Sequence, residues 1–179
     1  MRPLAPLALA TAVLAIAGGA LAATSKSTYS YRATISPGAE VPKPKGAASA
    51  KGVFTATVTE SGTTRSIRWT LTFSGLSGKA GAAHIHAGKA GVAGGVLLGL
   101  CGPCKNGQTG VAKISKNAAD VLERGGAYVN VHTSRNPGGE IRGQLKLVGH
   151  TGSASSDPQT SPTPTPPPSG GYGGGTDGY

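Results

Sequence analysis

Apolar and polar residues alternate along most of residues 28–148 with the two-residue period of a β-strand. Tyr29, Tyr31, Ala33 and Ile35 share one side of a first strand that Pro37-Gly38 ends. Phe54, Ala56 and Val58 mark a second, with Gly62 as its turn. Ile67, Trp69, Leu71 and Phe73 give the cleanest inward face, opposite Arg68, Thr70 and Thr72, and Gly75 and Gly78 break that run. Ala83-His84-Ile85-His86-Ala87 is a further strand. The segment from Val96 to Leu100 is short and apolar throughout, which predicts a core strand. Val111, Lys113 and Ser115 alternate with Ala112 and Ile114. One short helix is predicted, Asn117 to Arg124, with Asn117 as N-cap, Asp120 in the first turn and Gly125 as the stop. Short strands at near-regular spacing with glycine-rich turns predict an all-β sandwich or barrel.

The last hairpin can be placed in register. Val129 and Val131 alternate with Tyr128, Asn130 and His132, and Ile141 and Leu145 with Glu140, Arg142 and Gln144. If Val131 lies opposite Ile141, Asn130 faces Arg142, Tyr128 faces Gln144, and His132 faces Glu140. A slip of one residue would turn every apolar side chain outward, so burial fixes the register. Ser134 to Gly139 forms the connection, with Pro137-Gly138 suited to its turn.

His84-Ile85-His86, the strand Tyr128-Val129-Asn130-Val131-His132-Thr133 and the run Asn136-Pro137-Gly138-Gly139-Glu140-Ile141-Arg142-Gly143-Gln144 together resemble the signature of the CHRD (chordin-type) domain. Ala39-Glu40-Val41-Pro42 looks like the early Glu-Val-Pro element of the same family. The resemblance covers about residues 28–148 and implies a Greek-key, immunoglobulin-like arrangement. The family offers no common chemistry to carry over. A leader, one such domain and a tail look like an exported bacterial-type member.

The polar face carries the candidate chemistry. His84 and His86 share a side by construction, and His132 sits on the outward side of the hairpin. Three imidazoles suit copper or zinc, with Glu140 orienting His132 from behind, because ligating histidines usually give their second nitrogen to a carboxylate or carbonyl. The set is similar to ligand groups in copper/zinc superoxide dismutases and cupins. A hydrogen-bonded polar cluster that includes Asn130 and Arg142 and holds no cofactor is the preferred reading, and an extracellular or periplasmic copper- or zinc-binding protein with this three-histidine site is the alternative. His150 stands near the tail and is a poor ligand candidate.

Cys101-Gly102-Pro103-Cys104 has the letters of a thioredoxin-type redox motif, but Lys105 to Gly110 reads as loop where that chemistry needs a helix N-terminus. A structural Cys101–Cys104 disulfide is expected, as suits an exported protein.

The ends differ in composition from the centre. Arg2, the apolar run Leu4 to Ala17 and Ala20-Leu21-Ala22 predict a signal peptide over residues 1–22, leaving no membrane span after cleavage. Residues 150–179 are rich in Ser, Thr, Pro and Gly and are expected to form a disordered tail. Residues 23–149 then make one domain with a single core. That segment holds 16 basic and 5 acidic residues, a net charge of +11 spread along the chain. Such a surface attracts anionic envelope or extracellular polymers, whereas eight aromatics and no nucleic-acid motif argue against specific nucleic-acid recognition. The carboxylates fall in separate segments, and no nucleophile elbow or phosphate loop occurs, so no enzyme constellation is assembled. The expectation is an exported, extracellular or periplasmic, non-enzymatic binding or structural module of CHRD type. Its ligand and oligomeric state are not written in the sequence.

Overall fold

The computed structural model describes residues 25–152. The expected signal peptide and all but the first three residues of the expected tail lie outside them.

Nine strands form two antiparallel sheets. They are β1 (Lys26–Ile35), β2 (Lys51–Ser61), β3 (Thr64–Ser74), β4 (Ala80–Ala87), β5 (Val96–Cys101), β6 (Gln108–Lys113), β7 (Ala127–Thr133), β8 (Ile141–Gln144) and β9 (Lys146–Gly152). One sheet runs β6-β3-β2-β1-β9 and the other β5-β4-β7-β8. The chain therefore crosses between sheets after β3, β5, β6 and β8, which makes a sandwich of the all-β pattern. The alternating apolar residues meet between the sheets: Ile35, Phe54, Ile67 and Leu71 from the larger one, Ile85, Val129, Val131 and Ile141 from the smaller. Phe54 and Trp69 stack there with centroids 6.3 Å apart. Among the described residues no helix is long and apolar enough to cross a membrane.

The two sheets are joined at one end of β1, where Ser36 and Arg142 exchange backbone hydrogen bonds of 3.0 and 3.1 Å. This approach requires Gly143, because a Cβ there would lie 2.2 Å from the Thr34 carbonyl oxygen. The hairpin register is the one the apolar pattern predicts: Val131 pairs with Ile141, Asn130 with Arg142 and Tyr128 with Gln144.

Three boundaries differ from expectation. The helix α1 spans Lys116–Glu123 and is capped by Ser115, whose Oγ accepts from the Ala118 amide, so Asn117 is a helical residue and not the cap. The segment 96–100 is an edge strand, not a core strand: β5 pairs only with β4, and Val96 is 57% exposed. An unbroken apolar run does not distinguish these two settings. Finally, β9 continues through Gly152, past the expected domain end at 149, because His150, Thr151 and Gly152 pair with Tyr29, Thr28 and Ser27. His150 stacks on Tyr29 at 4.5 Å.

Candidate functional site

The outward side of the four-stranded sheet is polar by sequence yet buried in the fold. Asn130 and Arg142 are each 1% exposed, because loops fold over that side. The polar side chains hold those loops down. Arg142 donates from Nη2 to the carbonyls of Lys89 and Val92 at 2.9 and 2.8 Å, and Gln144 donates to Gly88 at 2.7 Å. Tyr128 Oη accepts from the Gly94 amide. The Arg142 guanidinium also covers the Tyr128 ring, 3.4 Å from its centroid. Much of the polar pattern of β7 and β8 is thereby accounted for as loop attachment.

Glu140 belongs to this structural group. Its carboxylate accepts from the Ser77 amide at 2.5 Å, the Ser77 hydroxyl at 2.7 Å, the Thr133 hydroxyl at 2.5 Å and Asn136 Nδ2 at 3.0 Å. Burial alone would raise its pKa, but these donors outweigh burial and hold the carboxyl below its usual range. The expected His132–Glu140 contact is therefore corrected: Glu140 ties the hairpin loop to the segment before β4. The alternation that placed the two side chains together ends with the ladder at Val131–Ile141, and Gly139 beyond it has φ +132°.

The histidines stand apart from this scheme. β4 and β7 are neighbours, with His84 opposite Asn130 and Ala82 opposite His132. One ligating nitrogen from each of His84, His86 and His132 lies within 4.8 Å of the others. His86 Nδ1 lies 3.0 Å from the Gly94 carbonyl oxygen and His132 Nδ1 2.9 Å from that of Pro137. A carbonyl only accepts, so both Nδ1 atoms carry the proton and both Nε2 atoms keep a lone pair. His84 Nδ1 sits 3.0 Å from His132 Nε2, so it donates there and the His132 Nε2 lone pair is engaged by that hydrogen bond. Burial lowers the pKa of His84, helped by His132 and His86; burial likewise lowers that of His132, against the Pro137 carbonyl. His84 and His132 therefore favour the neutral, ligating form. His86 also stacks on Tyr128, with centroids 5.0 Å apart and planes 7° from parallel.

Among the described residues, four buried side-chain atoms have no hydrogen-bond partner: His86 Nε2, Asn130 Oδ1, Arg142 Nη1 and Glu40 Oε2. The first three belong to the outward side of β4, β7 and β8, and Glu40 reaches toward Asn130 from the loop after β1. Unpaired buried polar atoms are costly, and three of these four stand on this one side of the sheet. Sequence reasoning missed Glu40 as part of this side, and it missed the Gly94 and Pro137 carbonyls. Glu40 had a signal in its Glu-Val-Pro element; a backbone carbonyl has none.

Cys101 and Cys104 lie at disulfide distance, with sulfurs 2.07 Å apart, in the loop leaving β5. Neither cysteine stands at a helix N-terminus: the one α-helix among the described residues begins at Lys116, twelve residues after Cys104.

The chain has no match among curated proteins and none among solved structures. The family model described as the CHRD domain matches residues 31–145, from β1 to the end of the hairpin, and so includes His84, His86, His132 and every loop-holding residue described above. On that match, which spans more than half of the sequence, the chain belongs to the CHRD domain family.

Proposed function

We propose that this chain is an extracellular, non-enzymatic binding module in which His84, His86 and His132 hold one copper or zinc ion. Family membership supports a binding or structural module, and CHRD domains are typically extracellular. The observation that carries the metal reading is the convergence of the three rings: one ligating nitrogen of each lies within 4.8 Å of the others, backbone carbonyls hold the Nδ1 protons of His86 and His132, and His86 Nε2 is buried without a partner, so that a metal would take the place of the His84–His132 hydrogen bond. Carbonyl contacts of this kind orient ligating histidines in metal sites. Metal–nitrogen bonds of about 2.0–2.1 Å bring ligand atoms to within roughly 4 Å of one another, so small ring rotations suffice. Copper(II) binds such nitrogen sets more tightly than zinc.

The test is titration of dialysed, tag-free chain with Cu(II) and Zn(II), read by calorimetry and thermal melting. One equivalent should bind, and free metal at about one hundred times Kd should stabilise the fold by about 2.7 kcal/mol. His86→Gln should weaken binding at least tenfold. No bound metal and no thermal shift with either ion would leave the three histidines as a hydrogen-bonded cluster and end the proposal.

A further inference from the structure

The opposite side of the sandwich carries an unrelated feature. In the five-stranded sheet, the alternation that sends Tyr31, Phe54 and Trp69 inward sends hydroxyls and cations outward in registered rows. Lys146, Arg32, Thr55, Thr70 and Thr109 form one row across all five strands. Ser30, Thr57, Arg68 and Val111 form the next, and Thr28, Thr59, Ser66 and Lys113 a third. Rows lie roughly 6.7 Å apart and neighbours within a row about 4.8 Å. No carboxylate among the described residues stands on this face: Glu60 pairs with Arg65 at the hairpin end, and the others sit on α1 or around the smaller sheet.

Two details mark the face as more than a soluble exterior. Arg32 and Lys146 are direct cross-strand partners, and like charges so placed destabilise a sheet. Shallow grooves also run along it. One of about 330 Å³ is lined by Ser30, Arg32, Thr57 and Arg68. It meets a second at Arg32 and Val148, which in turn meets a third at Thr34.

We propose that the outer face of the five-stranded sheet docks an acidic polysaccharide, its carboxylate, sulfate or phosphate groups meeting Arg32, Arg68, Lys113 and Lys146 and its sugar hydroxyls meeting the threonine rows. Threonine hydroxyls both donate and accept, which matches a sugar ring. The aromatic side chains of β1, β2 and β3 point inward, so the face has no platform on which bases could stack. A polyanion along the rows offsets the Arg32–Lys146 repulsion, so binding raises stability. This site is independent of the histidines.

The experiment uses the full, tag-free chain with polygalacturonate as probe, neutral dextran as control and duplex DNA of matched charge as competitor. Binding to polygalacturonate should weaken roughly tenfold between about 50 and 300 mM salt, and dextran should not bind. The triple change Arg32→Glu, Arg68→Glu, Lys146→Glu should cost at least tenfold in affinity. Lys79→Glu, Lys89→Glu, Lys105→Glu changes net charge equally but lies off the face, and should cost less than threefold. If the first triple fails to fold, Arg32→Gln with Arg68→Gln gives the same reading with a loss of about threefold. Equal losses from the two triples, tighter binding to DNA, or no binding to polygalacturonate would each overturn the proposal.

Discussion

Replacing Glu140 with Gln separates a structural carboxylate from one that serves His132. Gln keeps the shape and one acceptor oxygen, so the Ser77 amide remains satisfied. Its amide nitrogen then faces Asn136 Nδ2, donor against donor, while the hydroxyls of Ser77 and Thr133 can rotate to accept. One unmatched buried donor costs about 1–3 kcal/mol, and loss of charge weakens the surviving bonds further, giving about 3 kcal/mol in all. With a urea slope of about 1.5 kcal/mol/M, the unfolding midpoint should fall by roughly 2 M, read from the fluorescence of the single tryptophan, Trp69. Glu140 is held below its ordinary 4.5, so its stabilisation is present above that value and is lost as pH falls through the folded pKa. Variant and parent should therefore converge in acid. Copper and zinc affinity should stay within threefold, since the Pro137 carbonyl, not Glu140, orients His132. A midpoint shift under about 0.5 M together with a tenfold loss of metal affinity would refute this account and restore Glu140 as the partner of His132.

Other outcomes test other parts of the structure. Ser115→Ala should cost about 1 kcal/mol by removing the cap on Ala118, whereas Asn117→Ala should stay within about 0.5 kcal/mol; the reverse order in thermal melts would move the helix start. Gly143→Ala puts a methyl group 2.2 Å from the stiff Thr34 carbonyl, and the loss should be about 3 kcal/mol or more, seen as a melting point at least about 10 °C lower. His84 and His132 titrate below 6.5 when folded, so the unfolded chain binds more protons and metal-free stability should decline as pH falls below about 6.5. A His84→Gln, His132→Gln double variant should lose that slope between about pH 6.5 and 5, and an unchanged slope would show that these rings do not control it. Opening the Cys101–Cys104 bridge should cost at most about 2 kcal/mol, since so short a loop constrains little chain entropy; a larger drop on reduction would contradict this.

Most of the strand plan was legible because one side of each strand is buried. Val129, Val131, Ile141 and Leu145 have no other place to go, and they carry Tyr128, Asn130 and Arg142 into register with them. The argument failed where that constraint stops. Beyond Val131–Ile141 the backbone turns at Gly139, and alternation no longer says where Glu140 points. Ser115 and Asn117 are equally good caps by chemistry, and only the path of the chain selects the first. The three histidines were visible as residue types, but their proximity depends on β4 lying beside β7, a non-local pairing that no short motif encodes. The acceptors that fix their tautomers are main-chain oxygens in loops, which carry no side-chain signal at all.

The division of labour on the smaller sheet explains how one short polar motif serves both fold and site. Its outward side must bury polar groups, because loops from three directions cross it, and each buried group needs a partner. Arg142, Gln144, Tyr128 and Glu140 meet that need by binding backbone and neighbouring side chains of those loops. The loops in turn present Gly94 and Pro137 carbonyls to His86 and His132. Rigidity thus runs from the hairpin through the loops to the imidazoles, and a change at Arg142 should be felt at His86 through the 89–95 loop and the shared Tyr128 ring. Among the described residues no such loop covers the larger sheet, whose outward cations Arg32, Arg68, Lys113 and Lys146 are exposed, and the two proposed sites rest on this difference between an enclosed side and an open one.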